Sequence, residues 1–187
     1  MSTLTKITDE RIPDLMMSLK LDHATKEGVK NKITMSSLID YFMKQSQLNN
    51  AMACFAWGLP SLEAIWWCLL SLQDEYQTED DDIRAATLLR QISTWVRDPV
   101  DDYKMLISQS LDEDKTVSPA TWLGRAVIWH EGNIAEASDQ RVTPDENMAI
   151  LAIHNAMLTA LESCKDQTAF CKQAVERGLH IAMGGNG

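Results

Sequence analysis

Between Ser36 and Met183 the apolar residues recur every third or fourth position, and no stretch shows a convincing two-residue alternation. That periodicity puts one face of each segment against a core only if the segment is helical. It restricts the chain to an all-α class. Punctuation divides the pattern into short pieces. Gly58 and Pro60 end one helix and start the next, as glycine suits a helix end and proline a first turn. Ser36 or Ser37 and Ser61 are placed to cap, and Ser118–Pro119 opens a further helix. Thr143-Pro144-Asp145-Glu146 has a cap, a proline and an acid in the order of a helix start, with the helix running to about Ser163. A last helix is expected from Gln167 to Met183. The expected architecture is a single irregular bundle of about seven to eight short helices. Residues 1–35 form an N-terminal arm with a short helix after Pro13 and a polar loop, residues 36–183 the bundle, and residues 184–187 a flexible tail.

The stretch "GLPSLEAIWWCLLSLQDEY", Gly58 to Tyr76, places Trp66 beside Trp67. Successive helical residues point about 100° apart. With Leu62 at the origin, Ile65, Trp66, Leu69, Leu72 and Tyr76 gather in an apolar stripe between about 280° and 40°, while Trp67 falls near about 140°. Glu63, Ser71 and Asp74 surround that second position. Trp66 is therefore expected in the core. Trp67 has two readings: covered by another helix, or exposed as an aromatic anchor for a partner, with Glu63 and Asp74 beside it.

The chain has 187 residues, of which 45% are hydrophobic, enough for a real core. Its net charge is −10: residues 1–50 carry seven basic and six acidic side chains, the remainder ten and 21. An acidic body repels phosphates and anionic membrane surfaces. It suits solubility or a basic protein partner. No apolar run reaches the about 18 residues that a membrane span needs, and the N-terminus lacks the pattern of a signal peptide. Cys54, Cys68, Cys164 and Cys171 form no C-x-x-C, which suits a reducing cytoplasm.

Chemistry-bearing motifs are sparse. His130-Glu131 begins like H-E-x-x-H, but position 134 is Ile, so no metal site is expected. His154 lies among Ile150, Met157 and Leu161, the setting of a core histidine. The acidic runs 79–82 and 101–102 begin helices and read as dipole compensation; the run 112–114 follows one. Nucleotide-binding glycine motifs and the G-x-S-x-G elbow are absent, so no cofactor and no catalytic residue is assigned.

Two blocks resemble an uncharacterised bacterial family of small helical proteins, over roughly residues 55–165. One is Leu-Pro-x-x-x-Ala-x-Trp-Trp, here Leu59, Pro60, Ala64, Trp66 and Trp67. The other is Ala-x-x-Trp-x-x-Gly-x-(Ile/Leu)-Ala, here Ala126, Trp129, Gly132, Ile134 and Ala135. The chain departs from that pattern after Ala135, where "EASDQRVTP" keeps only Pro144 of a proline-rich loop. Members of the family are often associated with type VI secretion components. The resemblance implies a non-enzymatic cytoplasmic adaptor or chaperone that binds a spike component or effector. An immunity protein, an enzyme of unrecognised type and a self-assembling structural protein are the alternatives.

Overall fold

A computed structural model describes residues 4–75, 83–130 and 145–187. Among these the chain is helical throughout, with ten helices and no strand. The count exceeds the seven to eight expected, for two local reasons. First, "HATKEGV" is a helix rather than a loop: Asp22 accepts a 2.7 Å bond from the Thr25 amide and caps it. Second, the segment from Ser36 or Ser37 through Phe55, read from sequence as one helix with an interruption near Asn49–Asn50, is broken at Gln45–Gln47, where Ser46 takes a left-handed φ of 56°. The cap also moves. Thr34, not Ser36 or Ser37, begins the helix, and Ser37 returns its hydroxyl to the Thr34 amide as the far half of a capping box.

The helices fall into two compact units, residues 1–60 with 166–187, and residues 61–165. The first unit holds α1 (Ile12–Ser18), α2 (His23–Val29), α3 (Met35–Lys44), α4 (Leu48–Gly58) and α10 (Gln167–Ala182). Helix α4 is its centre. Every residue from Ala51 to Leu59 is buried, and α1, α3 and α10 pack on it. The approach of α10 depends on Gly178, because a Cβ there would lie 2.6 Å from the Phe55 ring. Residues 6–11 stitch onto the same unit: Lys6 donates its amide to Ala182, Thr8 to Gly58, and Asp9 accepts from the Met35 amide at 2.6 Å. The C-terminal residues fold back on α10, as Gly185 donates to the His180 carbonyl and Gly187 to its Nδ1.

The second unit holds α5 (Ser61–Glu75), α6 (Ile83–Arg97), α7 (Asp101–Glu113), α8 (Pro119–Trp129) and α9 (Glu146–Ser163). Ser118, read from sequence as part of the helix start, caps α8 and forms a capping box with Thr121. Helix α9 starts at Glu146, capped by Asp145, whose carboxylate accepts from the Asn147 amide. Thr143 and Pro144, part of the start signal read there, lie outside the described residues, as do the acidic run 79–82 and the loop 133–143. Helix α5 is covered by α6, α8 and α9. Its buried arc holds Ala64, Ile65, Trp67, Cys68, Leu69, Ser71 and Leu72. The Ser71 hydroxyl is satisfied by the Trp67 carbonyl at 2.9 Å. No buried side-chain nitrogen or oxygen among the described residues lacks a hydrogen-bond partner, as buried polar groups require.

Candidate functional site

The structure decides between the two readings of Trp67 in favour of the covered one and departs from the expectation for Trp66. Trp67 is fully buried, with 0% exposure, and Trp66 is half-buried. The buried arc of α5 runs from Trp67 round to Leu69 and is centred near Cys68, about 240° round from Leu62. Three helices pack on α5, so the small residues Ala64 and Cys68, outside the apolar stripe, lie on its covered side. Trp67 is thus not an exposed anchor. Of its two proposed companions, Glu63 is half-buried and Asp74 exposed. The family-like residues divide as well. Leu59 and Ala64 are buried, Pro60 is exposed, and Trp129 is half-buried; Gly132 lies outside the described residues, as does Tyr76.

Cys54, Cys68 and His154 are withdrawn from solvent. Burial pushes the Cys54 and Cys68 thiols well above the usual thiol range, so both stay protonated. Burial lowers the pKa of His154, which favours neutral imidazole. The described residues contain no group of three histidine, cysteine or carboxylate side chains placed to hold a metal.

An open feature lies instead on the outer side of α7. Val100 precedes the helix, and Asp101 and Asp102 fill its first turn, opposing the helix dipole. Of the large apolar residues that follow, only Ile107 is fully buried; Met105 is 54% and Leu106 44% exposed. Asp101, Lys104, Met105, Ser108 and Asp112 stand at spacings of three and four along one face. With Ile128 of α8 they border a cleft of roughly 530 Å³. Gly124 of α8 sets how closely the two helices meet, because a Cβ there would lie 3.1 Å from the Leu111 side chain of α7. Lys104 reaches across and donates from Nζ to the His130 carbonyl at 2.8 Å. Its ammonium therefore sits at the C-terminal end of α8, where a cation is favoured. The His130 ring in turn meets Trp95 edge to face at 5.6 Å. On another side of α8, Arg125 stacks over Trp122, 5.0 Å from the ring centroid.

A smaller cleft of about 200 Å³ lies between α6 and the far end of α7. Asp114 lines it. Hydrogen bonds from the Thr116 hydroxyl and amide, with Arg84 nearby, hold its carboxyl below the usual carboxylate range. These bonds close the turn after α7 and explain the residue structurally.

A protein-family model matches residues 38–182, and it describes a family of unknown function (DUF6931). The chain belongs to this family. The match starts inside α3 and ends on the last residue of α10, so the family shares the cleft-bearing helices α7 and α8, while α1 and α2 precede it. No curated protein and no solved structure matches the chain.

The α7–α8 cleft was not found from sequence. Asp101 and Asp102 read as dipole compensation and Asp112 as part of a run that follows a helix, while Met105 falls outside the stripe that the spacing of Val100, Tyr103, Leu106, Ile107 and Ser110 marks on this helix. The available signal was the thinness of that stripe: a helix whose apolar positions outnumber its buried ones leaves some of them at the surface.

Proposed function

We propose that this chain is a non-enzymatic, cytoplasmic adaptor or chaperone-like accessory protein of a bacterial type VI secretion system, and that it holds a spike component or effector through the α7–α8 cleft. The observation that carries the binding role is the cleft itself. A continuous face of α7 presents exposed Met105 beside a half-buried Ile128, bordered by carboxylates. An apolar strip with a charged rim is the anatomy of a protein-binding surface. Methionine adds an adaptable contact that fits more than one partner shape. The assignment to secretion rests on the resemblance of the two tryptophan-containing blocks. No helix among the described residues is long and apolar enough to cross a membrane, which is compatible with an accessory role away from the bilayer.

The test is affinity capture from the native host with the full chain and with Met105→Asp. The reading expects a secretion component with the wild-type chain and its loss with the variant. Recovery of no secretion component counts against the secretion role. Equal recovery with both chains counts against the cleft. Sensitivity of a deletion strain to a sister-cell toxin would turn the assignment toward an immunity protein.

A further inference from the structure

We infer that the occupant of the α7–α8 cleft is a basic amphipathic helix of the partner protein, lying along α7 with cationic residues at both ends of a short apolar stripe. This rests on the reading of the cleft as a protein-binding site and specifies its chemistry. Helix α7 carries Asp101, Asp102, Asp112 and Glu113 against a single base, Lys104, a balance of four acids to one. That base is directed to the C-terminal carbonyl of α8. The first two acids suit the N-terminal end of the helix dipole. The last two oppose it, since they stand in the final turn, where α7 has no base. Lys115 approaches Asp112 at 3.7 Å, but both side chains are 77% exposed, and so open a pair holds neither charge firmly. Glu113 borders the smaller cleft against α6, so local helix physics accounts for Asp101 and Asp102 at one end of the face and not for Asp112 at the other.

The layout selects among ligands. Asp101 and Asp112 are eleven residues apart on the helix, which separates them by about 16 Å along its axis. No single metal ion or ammonium group spans that distance. A partner helix does, in three turns. Met105 and Ser108 lie between the two acidic ends, with Ile128 opposite. The complementary segment carries leucine-like residues at three- and four-residue spacing in the middle and Lys or Arg about eleven residues apart. This is helix-in-groove recognition, with charges that steer encounter and set register. Nucleic acid would meet the same carboxylates as repulsion.

A synthetic 15-residue helical peptide, with lysines at both ends and leucines at helical spacing between, is titrated by fluorescence anisotropy against the full chain. A scrambled peptide of the same composition is the control. The ordered peptide is expected to bind at least about tenfold more tightly than the scrambled one. The double variant Asp101→Asn with Asp112→Asn is expected to lose about that factor and most of the salt dependence. Met105→Asp is expected to abolish binding with an unchanged circular-dichroism spectrum. Equal binding of both peptides, or an Asn variant that binds as the wild type does, overturns the inference. A photo-crosslinker at position 105 in the native host separates it from the broader reading. Capture of a partner through a segment without lysine or arginine sinks the basic-helix inference but keeps the binding role. Peptide binding without any cross-linked protein sinks the binding role. Light scattering that shows a dimer, broken by Met105→Asp, assigns the face to a second copy of the chain and overturns both.

Discussion

Helices α5 and α7 belong to the same compact unit and use their apolar residues in opposite ways. Helix α5 is covered on three sides by α6, α8 and α9, so Trp67 disappears completely and even Ser71 is buried. Among the described residues helix α7 packs mainly on α6 and α8 and leaves Met105 and Leu106 about half exposed. Trp67, the aromatic candidate for a partner surface, is therefore scaffold. The modest helix beside it carries the accessible apolar face. Aromatic size is a poor guide to exposure when a helix is central, because a large side chain is also what a multi-sided core needs.

Truncation of the tryptophans gives the largest expected difference. Trp67→Ala should cost about 3–5 kcal/mol in urea denaturation, by loss of transfer free energy and by the cavity left behind. Trp66→Ala should cost distinctly less, roughly half, since part of that ring already meets solvent. If the two losses are equal, or Trp66 dominates, the rotation of α5 described above is wrong.

Acid should then weaken this unit through His154. Burial lowers its pKa in the folded chain below the usual value near 6.5, so the unfolded chain takes up the proton first. The stabilising effect is complete above about pH 6.5 and is lost as pH falls below that value toward the folded pKa, with a slope of at most about 1.4 kcal/mol per pH unit. Denaturation midpoints between pH 7 and 5 should fall, and His154→Leu should flatten the fall. A variant with the wild-type slope would remove His154 as the cause.

Gly124→Ala probes the seat of α7. Helix propensity favours alanine by about 1 kcal/mol, and displacement of the Leu111 side chain opposes it. The net change in stability should stay under about 1 kcal/mol, with a measurable change in peptide affinity at the cleft. A large loss of stability would mean that α7 is clamped as tightly as α5.

Much of the helical framework was legible because its signals are local. The Ser118 capping box, the Gly58–Pro60 break and the acid-rich start of α7 each lie within a few residues of sequence. The orientation of α5 was not, because the wheel is dominated by its large side chains, whereas its covered arc is centred near Cys68 and takes in the small Ala64 and Ser71. Small residues allow close helix approach but carry little hydrophobic signal. The break at Ser46 was missed by a few residues, since a left-handed serine has no distinctive neighbour pattern. The cleft depends on Lys104 reaching His130 and on Leu111 meeting Gly124, pairings that no short window contains. Its acidic residues were visible, but acids at helix starts have a structural explanation, and only the placement of Asp112 at the unfavourable end separates the two.

The contrast between a structural α5 and a binding α7 is tested most directly by partner capture with Met105→Asp, read beside its unfolding curve. The substitution lies on an exposed face, so stability should change by no more than about 0.5 kcal/mol, while capture of the partner should fall at least about tenfold. Undiminished capture by this folded variant would contradict the account and move the binding face away from α7.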